Sequence, residues 1–571
     1  MNHKTMKTLA VASILALGVA ACSSSSSTPK SSNSSGNTSA TGQPLVIVDN
    51  VGTAFTQTFN PYDPNSVMVK NNMQDLIYEP LMMFNMMNPT QAPIPWLASA
   101  DSWSPDGKTL TLTIRQGVKW SDGQPLTASD VAFTFNLFKQ YPAFDDSPAP
   151  NPSPVPDSAT APNATTAVLT FPTAQYSNLF LIGSTYILPQ HIWSSVGDPT
   201  KYANANPVGT GPYVMSSFST QKVVLKANPS YWQKSMVKVP EIIYPYYVSN
   251  DTSNPALFSG SIDYAGNFVT NVAQNFLGKA DTNHTWSASA PYFGDNNVVG
   301  LFLNVTRGAL KDPKVRQAIS AGINRQQLSI QGESGYEPVA TSSGGLMLPT
   351  DNSLLNQSLA SDLPAAGNAA KVNQIMTSDG YTKSGGHWTK NGQPVKFAIQ
   401  DPSDYTDYAT DAQLIATQLN NLGFEVSFDG VQDNAWYSNY PVGNFDAMIH
   451  WGAQGASPFT YFSNWLDFTQ SAAIGKTAGG DWERYSNPAA QTALTKFEGS
   501  NDSTTQQDAL NSLQSILSTD APVIPLLYGA AWYEYSTKKY TGWPTASNQY
   551  MNPVPNAPYV EYTILHLTPA S

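Results

Sequence analysis

Trp103-Ser104-Pro105-Asp106-Gly107-Lys108-Thr109-Leu110-Thr111-Leu112-Thr113-Ile114-Arg115-Gln116-Gly117-Val118-Lys119-Trp120-Ser121-Asp122-Gly123-Gln124-Pro125-Leu126-Thr127-Ala128-Ser129-Asp130-Val131 is the stretch from which the architecture can be read. Leu110, Leu112 and Ile114 alternate with threonines, the period of a half-buried strand. Asp106-Gly107 and Asp122-Gly123 are tight-turn dipeptides on either side of it, with glycine supplying the left-handed conformation. Thr127 opens a helix with Asp130 three residues on, a capping-box arrangement, and Val131, Phe135 and Phe138 recur on one face. The segment reads as strand, turn and helix.

The same grammar extends along the chain. Leu45-Val46-Ile47-Val48 reads as a buried strand. Asp312-Pro313 starts a helix as cap and first helical residue, with Val315, Ala318, Ile319, Gly322 and Ile323 on one stripe. Another helix carries Leu414, Ile415, Leu419 and Leu422, stops at Gly423, and leads into an alternating strand through Phe424, Val426 and Phe428. Helix and strand alternate without a 20- to 50-residue repeat, so the class is α/β. Between Pro142 and Pro162, seven prolines among Ser, Ala, Asn and Asp exclude helix and central strand and predict a long surface loop.

The N-terminus is of a different kind. Lys4 and Lys7 precede an apolar run from Leu9 to Ala21, too short to span a bilayer, which describes a secretory leader over residues 1–21. Cys22 is the only cysteine and sits where small residues end that run, the position of a bacterial lipobox cysteine that becomes the lipidated mature N-terminus. More than one acyl chain gives stable anchoring, so the protein is expected on the outer face of a membrane. Residues 22–43 are Ser/Thr-rich, almost without apolar side chains, and are expected to form a disordered tether. At roughly 5–6 Å times the square root of its length, the tether holds the body about 25 Å from the lipid.

The body is folded and longer than a single core usually grows, with 41% hydrophobic and only 12% charged residues. A net charge of −12 without a basic cluster argues against nucleic acid and against electrostatic adhesion to anionic lipid. The 13 Trp and 28 Tyr offer stacking platforms as well as core.

Several segments together resemble the bacterial extracellular solute-binding proteins of family 5, the dipeptide and oligopeptide type that feeds ABC importers. They are Phe59-Asn60-Pro61, Ile77-Tyr78-Glu79-Pro80-Leu81, Trp96-Leu97-Ala98, the opening stretch above, Leu188-Pro189-Gln190-His191, Pro207-Val208-Gly209-Thr210-Gly211-Pro212-Tyr213, Asn228-Pro229-Ser230-Tyr231-Trp232 and Asp312-Pro313-Lys314-Val315-Arg316-Gln317-Ala318. Gly209 and Gly211 also have a reading of their own, as a turn where backbones approach closely. The resemblance implies a two-lobed periplasmic-binding-protein-like fold, type II of the large peptide-binding cluster, hinged between lobes. The first lobe would take residues 45–291 and 532–571, with a subdomain over about 82–205, and the second 292–531. It also implies a monomer that binds a small-molecule ligand, meets ABC permease subunits in the membrane, and uses no cofactor.

In peptide-binding members, an acidic residue three positions after a Trp of the second lobe would hold the ligand's α-amino group. Here the segment is His450-Trp451-Gly452-Ala453-Gln454, and the basic residue some members place three positions before that Trp is Met448. Burying an ammonium without a carboxylate is costly, whereas a neutral amide both donates and accepts, as sugar hydroxyls require. Gln454, with Trp451, Trp436 and Tyr461 as stacking surfaces, therefore favours a neutral oligosaccharide over an oligopeptide, with both open. From the first lobe, Phe55 and Gln57 on the loop after the opening strand are expected at the cleft, as is Asn267.

The six histidines, His3, His191, His284, His387, His450 and His566, show no HExxH and no paired metal spacing, which argues against a zinc site. No GxSxG elbow is present, and no catalytic residue is assigned. Paired carboxylates of a secreted glycoside hydrolase remain the alternative among 40 acids.

Overall fold

The computed structural model describes residues 42–52, 54–88, 91–144, 154–453, 455 and 457–571. The leader, Cys22 and the tether as far as residue 41 lie outside the described residues. The Ser/Thr-rich tether is expected to run to Gln43, but the body holds the chain from there on. Tyr540 donates its hydroxyl to the Gln43 carbonyl, and Lys539 Nζ donates to the Pro44 carbonyl at 2.8 Å.

Leu45–Val48 is apolar on both faces because it is an inner strand with parallel neighbours, Glu241–Pro245 on one side and Tyr264–Ala265 on the other. It anchors a seven-stranded sheet in the order 283–284, 534–536, 264–265, 45–48, 241–245, 222–227 and 213–219. The opening stretch builds a separate four-stranded sheet of Ala98–Trp103, Thr109–Ile114, Thr166–Thr170 and Ser158–Asn163, covered by the helix Ala128–Gln140. Thr127 and Asp130 form the capping box, and Gly107 and Gly123 take φ of +67° and +93°. Part of the proline-rich stretch is not loop. Residues 158–163 form an edge strand whose pairing slips between Thr160 and Asn163, and Pro162 is tolerated there because an edge position needs no ladder donor.

Gly209 and Gly211 seal the seam between segments of this first lobe. A Cβ at Gly209 would stand 1.7 Å from the Ile77 carbonyl oxygen, and the amide of Gly211 donates to that oxygen at 2.9 Å.

The second sheet runs in the order Glu425–Val431, Lys396–Pro402, Ala447–Trp451, Gly294–Leu303 and Val523–Ala531. Alternate residues of Gly294–Leu303 enter opposite cores, Val299, Leu301 and Leu303 on one face and Val298 and Phe302 on the other. Helices Pro313–Gly322 and Thr406–Asn421 contribute to the first core, and helices Phe459–Leu466, Pro488–Glu498 and Ser503–Asp520 to the second. Asp312 caps the helix that Pro313 begins, and Gly423, at φ +97°, follows the end of Thr406–Asn421. The chain passes from one sheet to the other between His284 and Gly294 and returns between Ala531 and Glu534.

Candidate functional site

In both sheets the parallel strands end toward one cavity of about 420 Å³. Asp49 and Val51 follow the strand 45–48, Gly266 and Phe268 follow 264–265, Tyr405, Asp407 and Tyr408 follow 396–402, and Trp451 ends 447–451. Ligands of open α/β sheets bind at such carboxyl ends, because the loops there face a crevice that the strands themselves do not fill. Next to the crossings, Asn296 and Asn297 of the strand Gly294–Leu303 and Ala530 of Val523–Ala531 line the same wall, as does Trp532 in the returning crossing.

The second-lobe wall is aromatic. Trp451 is half-buried, with its ring 4.6 Å from His450, 5.7 Å from Trp436 and 6.5 Å from Tyr408. His450 is clamped behind it, stacked on Trp436 at 4.8 Å and 18° and edge-on to Tyr440. Its Nδ1 faces the Trp451 carbonyl at 2.7 Å and therefore carries the proton, and burial drives its pKa down to about 3, so the ring is neutral. Tyr437 of the helix Asp433–Asn439, Tyr440 capping its C-terminus, and Trp482 complete this side.

Charge is sparse. Asp407, on the first turn of Thr406–Asn421, bonds the amide of Tyr408 at 3.0 Å, and burial raises its pKa to about 6. Asp49, from the first lobe, is buried with neither carboxylate oxygen bonded, and its pKa is raised well above the usual range by burial. Lys70 also lines the cavity, but its Nζ donates to Asn434 Oδ1 at 2.7 Å and lies 3.6 Å from Asp433. The described residues contain no group of three or more His, Cys, Asp or Glu arranged to hold a metal ion.

Of the residues singled out from sequence, Trp451 lines the cavity. Trp436 stands behind that wall, 1% exposed, and acts on it through His450. Tyr461 lies in the second-lobe core, 6.2 Å from Trp465, because its helix Phe459–Leu466 is buried on every side. Phe55 packs edge-on against Tyr246 at 5.8 Å within the first-lobe core, and Gln57 is exposed away from the cavity. Asn267 is spent on structure, donating Nδ2 to Ser253 Oγ and Asn254 Oδ1, both at 2.9 Å, while its neighbours Gly266 and Phe268 reach the cavity. Gln454 lies outside the described residues, although Gly452 and Ala453 just before it are on the wall. Met448 is core.

Residues 92–473, more than half of the chain, match the family described as bacterial extracellular solute-binding proteins, family 5 Middle. The chain belongs to that family. Among curated relatives, it is 27% identical to Protein XP55 of Streptomyces lividans over 73% of this chain and 72% of that protein. It is 25% identical to the oligopeptide-binding protein AppA of Bacillus subtilis over 91% and 92% of the two chains. Among solved structures, it resembles the periplasmic oligopeptide-binding protein of an oligopeptide ABC transporter from Thermotoga maritima, crystallised with mannohexaose. There the TM-score is 0.83 and the identity 27%, covering 93% of this chain and 99% of the other. The fold is thus the two-lobed, type II fold of the family's periplasmic binding proteins. Among the described residues, no helix is long and apolar enough to cross a membrane.

Proposed function

We propose that this family 5 protein is the exported, lipid-anchored receptor of an ABC importer, which captures a neutral oligosaccharide between its lobes and delivers it to the membrane permease without chemistry of its own. The observation that carries the reading is the cavity itself: aromatic walls from both lobes, Tyr62, Tyr408, Tyr437, Trp451, Trp482 and Trp532 among them, with a single lysine already engaged. Flat rings that pack on sugar faces and few fixed charges suit a polyhydroxylated neutral ligand. The mannohexaose in the Thermotoga maritima relative supports the same class.

Within this reading residues 1–21 are the leader, Cys22 the lipidated terminus, and residues 45–291 with 532–571 and 292–531 the lobes that close on the ligand. Trp451 stacks on the ligand, and Gln454 serves it as an uncharged donor and acceptor. An oligopeptide is the second reading, favoured by the names of several relatives, AppA included. A thermal-shift screen of the body against oligosaccharides and peptides separates the two. A ligand at 100 times its dissociation constant adds about 2.7 kcal/mol of stability. Stabilisation by peptides and not by oligosaccharides would overturn the sugar reading, and turnover of an oligosaccharide at catalytic protein concentration would replace the receptor by a glycoside hydrolase. Cys22→Ala should release the mature protein into the soluble fraction or block its processing. Unchanged fractionation would remove the anchor.

A further inference from the structure

The wall of the cavity has an asymmetry of charge. The cation that lines it, Lys70, is held by Asn434 and Asp433, and the arginines are committed elsewhere. Arg115 stacks over Trp232, and Arg307, Arg316, Arg325 and Arg484 donate to backbone carbonyls. The undescribed positions within the body, 53, 89–90, 145–153, 454 and 456, hold no Lys or Arg. Against this stand two carboxylates on opposite walls, Asp407 and Asp49. Asp407 has no ion-pair partner among the described residues, and both Asp49 oxygens are without a hydrogen bond.

We propose that Asp407 and Asp49 select a ligand that offers hydroxyl or ammonium donors and exclude one that brings a carboxylate. The proposal rests on the receptor reading above and narrows its substrate class. A carboxylate drawn into this cavity would be desolvated beside two acids with no free cation to meet it, a loss that hydroxyl contacts elsewhere on the ligand do not restore. A hydroxyl or ammonium instead gives Asp49 the donor it lacks and adds one to Asp407 beside the Tyr408 amide, and a hydrogen bond to an ionised acceptor is among the stronger kinds.

The surroundings set which acid carries the charge. Asp407 is faced by Asp411 on its own helix, by Glu333 and Glu337, by Asp401 and by Tyr408, and none of these is a cation. Burial, and the nearby Asp407 carboxylate, push these acids well above the usual carboxylate range, and burial raises Asp407 to about 6. Around Asp49 the nearby titratable groups are the tyrosines Tyr244, Tyr264 and Tyr437. At Asp407, ligand donors therefore meet an anion at neutral pH and a neutral acid below pH 6, and affinity should fall with acidification.

The test titrates the mature protein, read by tryptophan fluorescence and calorimetry. The probes are mannohexaose, a glucosamine hexamer, a mannuronate hexamer, and a tripeptide as free acid and as C-terminal amide. We expect mannohexaose or the glucosamine hexamer to bind at least 100-fold more tightly than the mannuronate hexamer, and the peptide amide, if it binds, more tightly than the acid. Wild-type affinity should fall up to tenfold between pH 8 and pH 5. Asp407→Asn should lose about tenfold at pH 8 and become insensitive to pH. The wild-type probe series and pH profile need no variant, so a misfolded Asp407→Asn does not remove the test. Binding confined to the peptide amide keeps the proposal and overturns the sugar reading. Mannohexaose binding that is indifferent to both pH and Asp407→Asn keeps the receptor and overturns the proposal, as does a carboxylate probe that binds as tightly as its neutral counterpart. Failure of every donor-bearing probe to bind also overturns it.

Discussion

Replacing Lys70 by Met tests whether the two lobes hold one another directly. Among the described residues, Lys70 with Asp433 is the one ion pair between the lobes, joining the helix Val67–Lys70 to the start of Asp433–Asn439. The side chains are 11% and 2% exposed, Nζ also donates to Asn434 at 2.7 Å, and Asp433 additionally accepts the Tyr405 hydroxyl at 2.8 Å. Breaking a buried pair from one side costs about 3–5 kcal/mol when the stranded charge stays buried, and an exposed pair is worth under about 1 kcal/mol. Here Asp433 keeps the hydrogen bond from the Tyr405 hydroxyl and can hydrate if the lobes part, so the penalty falls between, at about 2–3 kcal/mol, on the lobe-to-lobe contact alone. Lys70→Met should then weaken ligand binding by roughly 30- to 150-fold and raise the radius of gyration in solution scattering, with little change in melting temperature. Because Lys70 also lines the cavity, a direct ligand contact must be separated from the pair. In a cycle with Asp433→Asn, the two substitutions should be strongly non-additive if they act through each other. Additive losses, or an unchanged radius of gyration, would refute the reasoning.

Three further outcomes are expected. Trp451→Ala should weaken binding by about 1–3 kcal/mol while the protein still folds, as removal of a stacking face does, and a protein that cannot be recovered folded would instead make Trp451 a core residue. Gly209→Ala should lower stability by about 2 kcal/mol or more in urea unfolding, since its Cβ would lie 1.7 Å from a backbone oxygen that cannot move aside; an unchanged midpoint would contradict the close approach. Glu79 accepts from Trp96, Trp232 and the Tyr231 hydroxyl in the first-lobe core, and burial raises its pKa to about 7. A raised acid favours the folded state while protonated, so its contribution is present below about pH 4.5 and is lost as pH rises toward 7, by about 3 kcal/mol at most. Glu79→Gln should therefore shrink the stability difference between pH 5 and pH 8, and an equal difference in both proteins would count against that assignment.

The fold could be read from sequence because its determinants are local. Asp106-Gly107, the Thr127 to Asp130 capping box and Asp312-Pro313 each specify their geometry within a few residues, and each takes that geometry here. The tether's end could not be read that way, since what fixes Gln43 is a tyrosine almost 500 positions away. Pro162 shows the limit of a negative rule: proline bars a central strand and leaves an edge strand open, and Ser158–Asn163 takes that course.

The site was harder to read because cavity residues are chosen by where strands end rather than by residue type. Tyr461 is aromatic and close to Trp451 in sequence, yet it sits on a helix, Phe459–Leu466, buried on all sides, and Asn464 rather than Tyr461 is the residue of that helix that reaches the cavity. In Asp433–Asn439 the aromatics divide by position, with Trp436 packed under His450 and Tyr437 at the cavity, as residues one apart on a helix must. Phe55 and Gln57 follow the first strand, but only the residues immediately after it, Asp49 to Val51, reach the crevice before the chain turns into the core. Applied at one residue's distance from each parallel strand, the carboxyl-end rule would have picked out Asp49, Gly266 and Gly452 from sequence, and at a few residues more the Tyr405, Asp407 and Tyr408 group, whose single charged member bears on ligand choice. What marks these residues is their place after a strand, and that signal lies in the strand pattern, not in the aromatic count.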